Sequence, residues 1–256
     1  RLSGVTSTIV ALVPCQRAMG VKIAALAPEG LPASVPRVRF RDLWKMWKRP
    51  ADAKVRIWHA RRNTEMLPGI ILRDALRMPL KLVFTSAAQR DHSGYTKWLI
   101  RRMDAVIATS SQAASYLQVP HSIIMHGIDT ARFFPPVDKA AAKKAVGLDL
   151  SKKHFGCFGR IRHQKGTDRF VDAMIPAMPN NSDWIAVITG RVTAEHQGFA
   201  DAMHAKIAAA GLKDRFLFPG EVADVLPWYQ ALDLFAAPQR WEGFGLTPLE
   251  AMACGV

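Results

Sequence analysis

Cysteine is scarce in this chain: Cys15, Cys157 and Cys254 are the three among 256 residues. Their odd number and wide separation exclude a disulfide framework and a zinc site, and point to a reducing compartment, read as the cytosol. No apolar run reaches the ~18 residues of a membrane-spanning helix. At 49% hydrophobic residues, the chain nonetheless has ample material for buried cores. Asp-x-Asp is missing throughout, and with it the usual carboxylate pair for a metal-held diphosphate. A Walker lysine motif, a serine nucleophile elbow and His/Cys clustering at zinc spacing are missing too. The first residue is not methionine and the last closes a helical motif, so both ends read as cut. Acidic charge is short as well, with 21 Asp+Glu against 35 Lys+Arg and a net charge of +14. The deficit is local. Residues 1–136 hold 21 basic against 8 acidic groups, whereas residues 137–256 hold 14 against 13. A basic excess confined to one half predicts an anionic partner there, nucleic acid or anionic lipid being the usual candidates.

What is present is a rhythm. After an apolar helical stretch, Ile9 to Met19, and a strand over Val21–Ala27, strands are predicted at Val55–His59, Leu80–Thr85 and Ala105–Thr109. Helices are predicted between and after them, over Glu65–Met78 with an interruption at Pro68-Gly69, over Tyr95–Met103, and from a Ser110-Ser111 cap to about Leu117. A second unit opens at Phe155–Gly159 and repeats the pattern through Trp184–Thr189, Arg215–Phe218 and Asp233–Pro238. Alternation of this kind makes an α/β fold with parallel sheets. The chain divides into two Rossmann-like domains, 1–135 and an incomplete 153–256, with a connector over 136–152. Ligands of open parallel sheets bind at the carboxyl ends of the strands, which predicts a cleft with the two domains facing each other.

Two loops could carry chemistry. In the first, Trp241-Glu242-Gly243-Phe244-Gly245-Leu246-Thr247-Pro248-Leu249-Glu250 joins a buried strand to a helix. Thr247 as N-cap, Pro248 at the first helical position and Glu250 three residues past the cap would form a capping box. Gly243 and Gly245 would let backbone N–H groups approach an anion at the positive end of the helix. Glu250 is then either a cap or a ligand-holding group. In the second loop, Gly159-Arg160-Ile161-Arg162-His163-Gln164-Lys165-Gly166 follows a strand and precedes a helix. It is either a solvated basic loop or a cradle for a diphosphate.

Glu242 and Glu250, with seven residues between them and preceded in the same domain by Gly-Arg-x-x-x-x-Lys-Gly, resemble the signature of retaining glycosyltransferases of family 4. The first half, through Val83-Phe84-Thr85-Ser86 and Asp104 to Ser110, is similar to bacterial lipopolysaccharide core glycosyltransferases, mannosyltransferases above all. The resemblance implies the two-domain GT-B fold and sugar transfer from a nucleotide diphosphate sugar, with GDP-mannose as the expected donor and an anionic lipopolysaccharide core as acceptor. No cofactor, metal or nucleic acid is implied. It assigns Arg160 and Lys165 to the diphosphate, Glu250 to the ribose, and Glu242 to the donor sugar, with Gly243, Phe244, Gly245 and Leu246 beside it. Val222 falls in a loop similar to the one that brackets the base. On the acceptor side the candidates are Gly4, Ser86 and His92. Thr85-Ser86 stand where several relatives have a histidine, and His59, His92 and His126 read in the first place as histidines without sugar contact. Front-face attack, with the leaving phosphate accepting the acceptor's proton, is the mechanism implied. Rival readings are another GT-B enzyme, a sugar-nucleotide epimerase or phosphorylase, and a basic nucleic-acid-binding protein.

Residues 37–50 concentrate Arg37, Arg39, Arg41, Lys45, Lys48 and Arg49 with Phe40, Trp44 and Trp47. A helix from about Asp42 would put both tryptophans on one face, either packed into the first domain or docked on an anionic membrane. The docking reading makes the protein cytoplasmic and peripheral to the inner membrane.

Overall fold

Regular alternation of strand and helix resolves into two four-stranded parallel sheets and one two-stranded sheet in a computed structural model, which describes residues 4–26, 30–51 and 53–256. The chain divides between residues 125 and 126 into two units.

In the first unit, α1 (Gly4–Ala18) runs through Pro14 and is followed by β1 (Ala25–Leu26) and β2 (Arg37–Val38), a two-residue parallel ladder. The strand expected over Val21–Ala27 is thus shorter, because pairing with β2 supports just Ala25 and Leu26. Ala27 lies outside the described residues, as do Arg1–Ser3 of the opening loop. The main sheet is built from β3 (Arg56–Ala60), α2 (Asn63–Ile70), β4 (Leu80–Ser86), α3 (Gly94–Ile100), β5 (Ala105–Ala108), α4 (Ser111–Ala114) and β6 (Ser122–Ile123). Its order is β3-β4-β5-β6, all parallel. Leu80, Leu82 and Phe84 bury one face of β4 while Lys81 on the other is exposed, and both faces are covered at its end, where Thr85 and Ser86 are buried. Ser93 and Ser110 cap α3 and α4 through their hydroxyls, at 3.3 and 3.0 Å. The helix expected over Glu65–Met78 ends at Ile70 and continues as a widened π turn, Ile71–Ala75. Gly69 explains how closely α2 packs: a side chain there would overlap the Trp58 ring.

The 37–50 segment is also not the α-helix expected from Asp42. Phe40–Trp47 forms a 3-10 helix, whose three-residue turn stacks i over i+3. Met46 therefore turns toward the core, while Trp44 and Trp47 share the next face and remain 63% and 49% exposed. The Trp47 indole N–H donates to the Leu76 carbonyl at 2.7 Å.

The second unit contains α5 (Lys139–Ala145), β7 (Lys153–Phe158), α6 (Thr167–Ala177), β8 (Trp184–Thr189), α7 (Gln197–Ala209), β9 (Phe216–Gly220), α8 (Leu226–Ala231), β10 (Leu234–Phe235) and α9 (Leu246–Ala253). Its order is β10-β7-β8-β9, again all parallel. Alternate residues of β8 serve opposite layers. Ala186 and Ile188 join Phe170, Met174 and Ile207, and Ile185 and Val187 join Tyr229, Leu232 and Cys254. Residues 136–152, read from the sequence as a connector, hold α5, whose buried Lys143 donates to the Lys152 carbonyl and pairs with Asp233, both at 2.8 Å. The chain runs outward from β7 through β8 to β9, then crosses back to add β10 on the other side of β7. This reversal of direction makes the carboxyl ends of β7 and β10 the switch point, where open α/β sheets bind ligands. Among the described residues, no helix is long and apolar enough to cross a membrane.

Candidate active site

Both sequence motifs leave this switch point. The first begins at the end of β7 with Gly159, whose φ of 143° excludes most side chains. Gly190, at the end of the neighbouring β8, abuts it so closely that a methyl would overlap the Gly159 carbonyl oxygen. Arg160 follows and is exposed. His163–Lys165 makes a 3-10 turn, closed by Gly166 in the left-handed region at φ 70°, and α6 begins at once. The Lys165 stem passes back over Gly159, 3.9 Å from where a side chain there would start.

The second motif leaves β10 and ends in α9. The Lys165 ammonium is ion-paired with the Glu242 carboxylate, 77 residues away in sequence, and both side chains are largely shielded from water. The other Glu242 oxygen accepts from the Gly243 N–H at 3.2 Å. The expected capping box is absent. Helix α9 starts two residues early at Leu246, behind Gly245 at φ 85°, and has no side-chain cap. Thr247 is therefore already helical, and its hydroxyl accepts from Gln239 at 3.4 Å. Glu250 points into the unit, 8% exposed, and accepts the Tyr229 hydroxyl at 2.8 Å. Phe244 meets the His126 ring edge-on at 5.0 Å, and Val222 is half-buried against the core between β9 and α8.

In the first unit the structure brings Ser86 and His92 together. Ser86, 1% exposed at the end of β4, has its hydroxyl 3.5 Å from His92 Nε2. His92 lines a shallow pocket with Lys97, Arg101 and Tyr116. Burial, and then the Arg90 charge, hold its pKa below the ordinary histidine value. His59 bonds Thr85 Oγ1 at 2.7 Å, and desolvation with Arg61 lowers its pKa to about 4. Gly4 is the first residue of α1, and its surroundings lie outside the described residues. Among the described residues, no group of three or more His, Cys, Asp or Glu is arranged to hold a metal.

The geometry can be set beside known proteins. Residues 152–256 match the family described as "Glycosyl transferases group 1". Over all 256 residues the chain is 64% identical to the lipopolysaccharide core biosynthesis mannosyltransferase LpsB of Rhizobium meliloti (strain 1021), covering 73% of that protein. Against the lipopolysaccharide core biosynthesis mannosyltransferase LpcC of Rhizobium leguminosarum bv. viciae it is 60% identical over 254 residues, 99% of this chain and 71% of that one. The chain belongs to the lipopolysaccharide core mannosyltransferase family of group 1 glycosyltransferases. The fold of this family member is GT-B. It superposes on Anabaena HepE, solved in complex with UDP and glucose, with a TM-score of 0.80 and 19% identity over 100% of this chain and 76% of that one. For a glycosyltransferase from Rickettsia africae ESF-5 the values are 0.77 and 14%, over 98% and 74%.

Three residues that touch or flank the two motifs of this glycosyltransferase escaped the sequence reading. Tyr229 was hidden in a helix that reads as core. Asp168, in the first turn of α6, and Arg240, in the loop after β10, flank the two motifs, and opposite charges after adjacent strands were the signal available.

Proposed function

We propose that this glycosyltransferase moves mannose from GDP-mannose to a lipopolysaccharide core acceptor with retention and without a metal. The observation that carries the reading is the meeting of Lys165 and Glu242 at the carboxyl ends of neighbouring β7 and β10. One cation and one carboxylate there supply what a nucleotide sugar needs, charge for its diphosphate and an acceptor for its sugar hydroxyls. Arg160 and Lys165 stabilise negative charge as the C1–O bond to phosphate breaks. The N-terminus of α9, opened by Gly245, adds backbone donors of the same sign. Such groups act chiefly on charge that grows in the transition state, and therefore on turnover. Glu250, fixed by Tyr229, holds the ribose, and Val222 borders the base. The acceptor hydroxyl attacks on the face the diphosphate leaves, forms the new C1–O bond, and passes its proton to the departing phosphate oxygen. Gly4, Ser86 and His92 are assigned to the acceptor. The exposed Trp44 and Trp47, among the six cations of residues 37–49, support docking on the cytosolic face of the inner membrane.

The test is transfer of labelled mannose from GDP-mannose to purified core acceptor by the full-length enzyme, with the anomer read by NMR. Arg160→Ala and Lys165→Ala are each expected to lower kcat at least about tenfold, or ~1.4 kcal/mol of barrier. Chelation by EDTA is expected to leave the rate unchanged. Normal turnover in both variants, an inverted product, or loss on chelation would overturn the corresponding part.

A further inference from the structure

The loop that carries Glu242 is fastened to the loop that carries Lys165 by a second ion pair, outside both motifs. Arg240 presents Nη1 to Asp168 Oδ1 and Nη2 to Asp168 Oδ2, each at 2.7 Å. Nη1 also donates to the His163 carbonyl at 2.6 Å. The Arg240 backbone N–H reaches the Gln164 carbonyl at 3.0 Å, and the Gln164 amide reaches the Trp241 carbonyl at 3.3 Å. Close behind them, Gly166 lies so near the Pro238 carbonyl that a methyl would overlap it.

The two partners differ in how they are held. Asp168 stands in the first turn of α6, where its charge suits the helix dipole and its backbone belongs to the framework. Arg240 lies in the irregular stretch between β10 and α9, two residues before Glu242. A bidentate fork fixes orientation as well as distance, unlike a pair of single exposed charges. The side chains are only 17% and 23% exposed. The Arg240 guanidinium, outweighing partial burial, keeps the Asp168 carboxyl below the usual carboxylate range.

We propose that the Arg240–Asp168 pair is a positioning latch, holding Glu242 in register with Lys165 so that both meet the same donor. The proposal rests on the donor-site reading above. Arg240 and Asp168 are positioning residues. Without the latch, Arg160 and Lys165 stay on their own loop and still bind a nucleoside diphosphate, while Glu242 drifts. Misplacement by ~1 Å can cost about 100-fold in rate, so the loss falls on turnover.

The experiment uses the full-length enzyme with Arg240→Gln, Asp168→Asn, their double variant and Arg240→Lys, measuring kcat, donor KM, GDP affinity by calorimetry and melting temperature. Each neutral single variant is expected to lower kcat at least about tenfold with GDP affinity within about threefold of the parent. The double variant is expected to match the worse single, as partners in one unit do. Additive losses, an unchanged kcat, or affinity and turnover falling together with melting temperature would overturn the latch. Arg240→Lys keeps the charge without the fork. If the neutral variants fail to fold, this one must still lower kcat at unchanged GDP affinity, and a parental kcat in it would overturn the proposal. Lys165→Ala and Glu242→Gln run in parallel: normal turnover in these overturns the donor reading itself. Loss in these with parental latch variants overturns the latch alone.

Discussion

Glu250 shows how far single residues can be read and where reading stops. Its place three residues past Thr247 suggested a capping box, yet the helix begins at Leu246 and the carboxylate turns inward to Tyr229. A cap and an inward-facing acid have the same sequence spacing; only the start of the helix separates them, and that is set by Gly245 in the left-handed region. If Glu250 grips the ribose and Tyr229 holds it in place, Glu250→Gln is expected to weaken GDP affinity at least about tenfold, and Tyr229→Phe about threefold, in the direction of one lost hydrogen bond. Calorimetry with GDP decides it; parental affinity in both variants would leave Glu250 a structural partner of Tyr229. Gly166 gives a second expectation. Alanine there suffers both the positive φ of 70° and overlap with Pro238, so it must push apart the loops of Lys165 and Glu242. Gly166→Ala is expected to lower kcat at least about tenfold, beyond what its melting temperature explains, whereas Gly211→Ala, with the same φ and open space around it, is expected to lose stability by about 1 kcal/mol and keep its turnover.

At the scale of elements, long buried strands were the most readable. Trp184–Thr189 lies where its apolar run put it, because a strand covered on both faces favours a near-continuous apolar run, here Trp184 to Ile188 before the buried Thr189. Marginal elements were less so, since partners decide them: β1 is cut to two residues by the length of β2, and α2 gives way to a π turn after Pro68. The 37–50 segment belongs here too. Its cations and aromatics were visible, but the choice of 3-10 over α geometry depends on Met46 reaching the core and Trp47 reaching the Leu76 carbonyl. Asp42 ties up Arg39 and Lys45 at 2.8 and 2.9 Å, and these bonds lower its own pKa to about 2. On the docking proposed above, Arg37, Arg41, Lys48 and Arg49 would face the lipid, each worth on the order of 1 kcal/mol near an anionic surface. Sedimentation with anionic vesicles is therefore expected to show binding that falls with salt, and a Trp44→Ala, Trp47→Ala pair to weaken it at low salt. Equal binding to neutral vesicles would reject the electrostatic part, and unchanged binding in the folded double variant would reject the tryptophan part.

Across the whole molecule charge is unevenly divided: residues 1–125 hold 20 Lys+Arg against 7 Asp+Glu, and the second unit is nearly balanced. That asymmetry was readable from composition, whereas the ionisable cluster of the second unit was not, since nothing in the spacing of Lys143, His154 and Asp233 brings them together. They meet because β10 adds beside β7 and α5 packs behind it. Asp233 pairs with Lys143 at 2.8 Å and accepts the His154 backbone N–H at 2.8 Å, while the His154 ring is fully buried. Neither ring nitrogen has a hydrogen-bond partner among the described residues, and Asp233 stands 3.8 Å from Nδ1. Burial and then the Lys143 ammonium hold the His154 pKa below its ordinary value, against the opposing pull of Asp233 and Asp149. The unfolded chain takes up this proton near pH ~6.5, the folded unit only at lower pH. Between the two, the unfolded state binds more protons, so stability rises with pH in that window and falls as the solution is acidified through it. Above about pH 7 the group contributes no slope. Asp233 behaves differently: its own burial raises its pKa, but the Lys143 bond prevails and holds it below the carboxylate range, so its loss comes at pH below about 4. Urea unfolding of the second-unit transition is thus expected to show a midpoint that drops between about pH 7 and about pH 5 in the parent. In His154→Leu, which keeps the site apolar and removes the titrating ring, the same interval is expected to be flatter. An equal slope in both proteins would show that the acid sensitivity of this unit lies elsewhere.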